Sequence, residues 1–210
     1  DDLIFKIPTK VGGNAFIYEI SNKMKTQIYD QPFADLLHDM ALEIPLPKLN
    51  IKSGIDNIKW TENVGLAFIK EDQLFFNDKL IDRQTSEYLF LWSELYHTNG
   101  KKNIFDAMIG ENFFSKTELP GPLQPQLLYV PLRFWFCNEI GMSLPLSAMQ
   151  GTKIEIKIKT RKIEELYQHS SPDTVIEYNT NPENINLIAN VFYLDKEERR
   201  KFTETSHKSL

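Results

Sequence analysis

The chain has 210 residues, 41% hydrophobic and 25% charged, a balance that excludes a disordered tail, a collagen-like rod and a coiled coil. Its 24 basic and 29 acidic residues leave a net charge of −5, which argues against non-specific binding to duplex nucleic acid, where a basic face must neutralise phosphates. A single cysteine, Cys137, allows no internal disulfide and points to a reducing compartment during folding, and no apolar run approaches the roughly 18 residues of a membrane span.

In chain order, the expected elements are mostly strands. Residues 15–20, 26–29 and 39–46 are the first strand candidates. Strands at 66–76 and 79–82 are joined by Asn77-Asp78, which suits a tight hairpin because both side chains tolerate positive φ. Residues 86–97 break the pattern. Leu89, Phe90, Trp92, Leu95 and Tyr96 recur at helical spacing, Thr85 or Ser86 caps the start, and Asn99-Gly100 stops it. This helix is expected to lie across one end of the molecule, anchored by Leu89, Trp92 and Leu95. A short helix is expected at 103–109.

The strand at 127–137 sets Leu128, Val130, Leu132, Phe134 and Phe136 on one face and Tyr129, Pro131, Arg133, Trp135 and Cys137 on the other. Both faces are heavy, so it is expected to lie deep, with Pro131 at an edge or bulge. Residues 153–159 alternate isoleucine with charge, the mark of an antiparallel strand with one face on a core. Strands at 174–178 and 186–194 follow. Residues 49–64 and 113–126 are expected as long loops, the second containing Pro120-Gly121-Pro122. Finally Asp195 caps a charged helix with acids in its first turn and bases after, a surface connector with almost no apolar face. Many short strands between turns indicate a β-sandwich or barrel.

The search for chemistry returns no catalytic, metal or cofactor residues. The four histidines, His38, His97, His169 and His207, include no pair at metal-binding spacing. Cys137 follows aromatic residues in a strand, which suits a small buried hydrophobe rather than an activated thiolate. No phosphate-binding glycine loop or nucleophile elbow occurs. Glu164-Glu165 and Glu197-Glu198 are adjacent in sequence and so diverge. The basic run at 153–162, balanced by glutamates, reads as a solvated strand face. Phe134-Trp135-Phe136 with Tyr129 cannot form one sugar-stacking platform, because successive strand side chains point opposite ways.

The residues Tyr129-Val130-Pro131-Leu132-Arg133-Phe134-Trp135-Phe136-Cys137, followed by Gly141, Leu144-Pro145-Leu146 and Gln150, resemble the most characteristic motif of the double jelly-roll major capsid proteins of large nucleocytoplasmic DNA viruses. Three further blocks agree in order. They are Leu80-Ile81-Asp82-Arg83 with Tyr88, Trp92 and Glu94-Leu95; then Met108-Ile109-Gly110; then Asp195, Glu197-Glu198-Arg199-Arg200 and Phe202 with Ser206-His207, similar to the connector between that family's two jelly rolls. The chain departs from the pattern at Asn138-Glu139-Ile140, where the family has Arg-Asn-Pro, and at Asn77-Asp78, where Gly-Gly is common.

The resemblance implies an all-β fold, an antiparallel jelly-roll sandwich of two four-stranded sheets with short helical excursions. It implies a jelly-roll domain over 1–194 and a connector helix over 195–210 toward a second jelly roll absent from this chain. That helix is expected to fray without the second roll. The implied function is a structural, non-enzymatic capsid subunit of a large icosahedral virus, forming pseudo-hexagonal trimers with itself and meeting neighbouring capsomers and minor capsid proteins. It would act in the virion, after assembly in the host cytoplasm, without direct nucleic-acid contact or cofactor. The competing readings are a minor or paralogous capsid protein of the same class, a jelly-roll carbohydrate-binding module, which a glycan screen would reveal, and a jelly-roll enzyme, which would need an acid pair or metal cluster.

Overall fold

The computed structural model describes residues 2–7, 16–20, 23–27, 34–53, 58–111, 124–149, 151–169, 174–178 and 185–204. The strands are β1 (Asp2–Ile7), β2 (Phe16–Ile20), β3 (Lys23–Gln27), β4 (Leu36–Leu46), β5 (Leu49–Ser53), β6 (Ile58–Trp60), β7 (Ile69–Phe76), β8 (Lys79–Thr85), β9 (Gln126–Pro131), β10 (Leu144–Pro145), β11 (Ile154–Thr160), β12 (Tyr167–His169), β13 (Val175–Tyr178) and β14 (Asn186–Phe192). Among the described residues, four helices join them: α1 (Val64–Phe68), α2 (Ser86–Tyr96), α3 (Asn99–Ile109) and α4 (Lys196–Glu204).

Every pairing among these strands is antiparallel, and the fold is a jelly-roll sandwich. One sheet runs β3-β2-β1-β11-β7-β8, so a four-strand unit is widened at the β1 edge by the β2–β3 hairpin. In the other, β4 carries β14 along one edge and β9 and then β10 along the other. Two small ribbons, β5 with β13 and β6 with β12, complete the structure.

The alternation in β11 does what the pattern dictates. Ile154, Ile156 and Ile158 are all buried and stand opposite Ile7, Phe5 and Leu3 of β1, while Leu74 of β7 faces Ile156 from the other side. They join Leu42, Ile44, Leu128 and Val130 of the second sheet in one core. The polar face is not uniformly wet. Glu155 is buried and meets the Lys153 ammonium at 3.1 Å, and Lys157 lies over the Phe75 ring. Asn77 and Asp78 adopt φ of 48° and 64°, both positive as the tight β7–β8 hairpin requires.

Several expectations are corrected. The strand expected over 127–137 stops at Pro131. Leu132 still donates its amide to Met40, but the chain then leaves the sheet through two 3₁₀ turns, Trp135–Cys137 and Ile140–Met142, before returning to the same edge as β10. The first part of the strand expected at 66–76 is helical, and Gly65 in that helix packs so closely on β9 and α3 that a Cβ there would stand 2.8 Å from Val130 Cγ2 and 2.9 Å from the Ile109 carbonyl. Residues 49–64 hold β5 and β6 rather than a loop, and most of 113–126 lies outside the described residues. Asn99-Gly100 opens α3 instead of merely ending α2. The strand β1 was unforeseen.

Candidate functional site

The excursion between β9 and β10 gathers most of the motif residues. Phe134 and Phe136 are fully buried and stacked, ring centres 5.9 Å apart. Trp135 is half-buried at the edge of this pair, set edge-on to Phe136 at 5.2 Å and to Phe76 at 6.2 Å. Cys137 is buried, its thiol donating to the His38 carbonyl at 3.4 Å, and burial pushes its pKa up to about 12. A thiol held protonated in this way is no nucleophile. The His38 ring closes the arrangement, with Nδ1 2.9 Å from the Phe136 carbonyl. Leu144 and Leu146 are buried, Pro145 pairs with Leu36, and Gly141 is exposed with open space around it. Gln150 lies outside the described residues.

Arg133 ties the excursion to α2. Its guanidinium carbon sits 3.8 Å from the centre of the Trp92 ring, a cation–π contact, and its carbonyl accepts from Gln84 Nε2 at 2.7 Å. Trp92 is in turn stacked on Tyr96, ring centres 5.2 Å apart and nearly parallel. The helix buries Ser86, Leu89 and Ser93 against the domain. Leu95, expected as an anchor, is instead 78% exposed. Helical spacing located the apolar stripe but not the direction in which it points.

The third cluster lies where the chain leaves the sandwich. Asp195 forms a capping box: Glu198 donates its amide to Asp195 Oδ1 at 2.8 Å, and the Asp195 amide reaches Glu198 Oε2 at 3.4 Å. One turn on, Arg199 makes a two-pronged bond to Asp35, Nε to Oδ1 at 2.6 Å and Nη2 to Oδ2 at 2.8 Å. Asp35 is only 2% exposed, and Oδ2 also accepts the Leu194 amide at 2.8 Å. Burial alone would raise the Asp35 carboxyl, but the Arg199 and Leu194 hydrogen bonds and the guanidinium charge hold it below its ordinary value. The Asp35 backbone joins in, its amide donating to Phe192 and its carbonyl accepting from Ser147. Helix α4, expected to fray, is instead held to its own domain at its first turn. Arg200, the neighbouring motif residue, is exposed and stands 3.6 Å from Glu204. Asp35 went unnoticed in the sequence because it sits 164 residues from its partner with no local pattern.

Among the described residues, no group of three or more His, Cys, Asp or Glu is placed to hold a metal ion, and no helix is long and apolar enough to cross a membrane. What the three clusters share is structural: they fix an aromatic excursion, a helix and a chain exit to one rigid sandwich.

A family profile described as "Major capsid protein N-terminus" matches residues 14–195. A probable capsid protein 4 of Acanthamoeba polyphaga mimivirus is 36% identical over 141 residues, covering 64% of this chain and 27% of that protein. A major capsid protein of Pyramimonas orientalis virus is 28% identical over 177 residues, covering 84% of this chain and 41% of that one. Among solved structures, the Faustovirus major capsid protein superposes with a TM-score of 0.68 at 10% identity, covering 97% of this chain and 56% of its own. The PBCV-1 VP54 chain fitted into a reconstruction of the virophage Sputnik gives 0.62 at 18% identity, covering 98% and 45%. These superpositions show the shared fold, and the chain spans less than half the length of the curated relatives named. With the profile matching residues 14–195 of 210, the chain belongs to the major capsid protein family of large nucleocytoplasmic DNA viruses, in the part that forms that family's N-terminus.

Proposed function

We propose that this chain is the first of two sandwich domains of a capsid building block, and that its role is mechanical rather than catalytic. Three such proteins join as a pseudo-hexagonal trimer, which tiles the shell against neighbouring capsomers and minor capsid proteins. Assembly takes place in the host cytoplasm, and the product is the virion. Residues 1–194 form the rigid part and 195–210 the connector to the second domain. Within this reading Phe134, Trp135, Phe136, Cys137, Leu144, Pro145 and Leu146 brace the excursion, Trp92 holds α2, and Asp195 and Arg199 set the exit.

The observation that carries the proposal is the clasp at the chain exit. The family match ends at residue 195, and α4 begins at Lys196. A free linker there would let two domains swing; a two-pronged ion pair to a buried carboxylate fixes the direction in which the chain departs. A block that must tile with identical neighbours needs that fixed direction. The test is electron microscopy of the full-length protein purified from expressing cells. Particles with three-fold symmetry and a six-cornered outline are expected, and a monodisperse monomer at micromolar concentration would overturn the reading.

A further inference from the structure

Helix α2 is amphipathic in the unusual sense. The side it turns to its own domain carries Ser86, Leu89 and Ser93. The side it turns outward carries Tyr88, Leu91, Trp92, Leu95 and Tyr96, and at one-turn spacing these form a continuous stripe. Tyr88 is 46% exposed, Leu91 57%, Leu95 78% and Tyr96 70%. Across a notch stand Asn138, Glu139 and Met142 of the excursion, with Met142 51% exposed. Taking about 200 Å² for a large side chain, these five leave roughly 600 Å² of mostly apolar surface open. That is the upper end for any patch on a typical monomer and approaches the ~800 Å² per partner of a standard interface.

We propose that this face is covered by the same face of a second copy of the chain, in a two-fold contact between neighbouring blocks. The inference rests on the shell-block reading, which makes identical copies the neighbours. The area fits a protein partner rather than a small ligand. The charge fits a copy: the notch is lined by one cation, Arg133, and one anion, Glu139. A two-fold axis running between the two sets each against its opposite in the other copy, whereas a strongly acidic or basic partner would meet a like charge. The surface is also pre-organised, because Trp92 is held between the Tyr96 ring and the Arg133 guanidinium, so little side-chain freedom is lost on contact. In a two-fold contact the stripe packs against its own image, Leu95 and Tyr96 against the partner's notch.

Sedimentation velocity over a concentration series tests this, with the chain as wild type, Leu95→Asp, Tyr96→Asp and the control Val175→Asp, an exposed position on β13. Wild type and control are expected to dimerise with the same constant. Both stripe variants are expected to weaken dimerisation at least tenfold, Leu95→Asp with unchanged thermal melting, since the Leu95 side chain is 78% exposed and supports nothing in the domain's own core. Dimerisation of Leu95→Asp and Tyr96→Asp at wild-type strength would overturn the assignment of this face while leaving the shell-block reading in place. A wild-type chain that stays monomeric at 100-fold above the micromolar range would overturn it too, and the symmetry of the full-length particle decides the shell-block reading separately.

Discussion

Helices α2 and α4 are held to the same sandwich by opposite means. The first is aromatic and aliphatic, yet it docks on one leucine, two serines and a half-buried Trp92 and keeps Tyr88, Leu91, Leu95 and Tyr96 outside. The second is almost wholly charged, yet Arg199 pins it to a carboxylate that is 2% exposed. Hydrophobic content therefore does not say how firmly a helix is attached. Burying one side of a helix needs only a few good contacts, and what the remaining surface carries is free to serve another purpose. In α2 that surface is an apolar stripe; in α4 it is charged and solvated.

The most damaging change is expected in α2. Leu89 is its single large buried side chain, so Leu89→Ala should cost about 3 kcal/mol, read by urea denaturation, and should loosen α2 first. A loss below about 1 kcal/mol would mean that Arg133 and Trp92, not Leu89, hold the helix.

Breaking the clasp comes next. Arg199→Ala leaves Asp35 buried without its cation, and because Arg199 is partly exposed the cost should be about 2 kcal/mol, below that of a fully buried pair. The pH dependence identifies the cause. Since the folded state lowers the Asp35 pKa, the contribution is present above its ordinary value near 4 and is lost as pH falls below it. Arg199→Ala should abolish that acid-side loss.

A second buried carboxylate sharpens the contrast. Asp72, on β7 opposite Ile158 of β11, is fully buried, with the backbone amides of Asp72 and Gln84 near its carboxylate. Burial, with the like charges of Asp82 and Glu71 added, pushes its pKa to about 7. Its sign is the reverse of Asp35: stability is greatest below about pH 4 and falls as pH rises toward about 7. Asp72→Asn should raise stability at pH 8 by about 1–2 kcal/mol and leave it unchanged at pH 4, as checked by melting curves at the two values. The smallest effect is expected at the stripe itself. Leu95→Ser should change the stability of the isolated chain by no more than about 0.5 kcal/mol.

Much of the fold was legible because strand patterning is local. The isoleucines of β11, the Asn77-Asp78 turn and the Asp195 cap each carry their reason within a few residues. The excursion was hidden for the opposite reason. Residues 132–137 continue the alternation of β9, and with both faces heavy the pattern cannot show that the backbone has turned away from β4. Leu3, Phe5 and Ile7 do alternate in β1, but over a segment too short to stand out beside Pro8. The clasp was invisible in half: Arg199 lay in a readable motif, whereas Asp35 takes its meaning only from a partner brought to it by the fold. The outward turn of α2 was equally hidden, since periodicity fixes a stripe without fixing its direction.

The domain itself holds its C-terminal helix, through Asp35 and Arg199. Amide hydrogen exchange on the chain, as wild type and Arg199→Ala, tests it most directly. Slow amides are expected at Lys196–Lys201 in the wild type, with at least tenfold faster exchange there in the variant and unchanged protection across Ile154–Thr160 in both. Fast exchange at Lys196–Lys201 in the wild type, no different from the variant, would show that the clasp does not hold the helix and would contradict the claim.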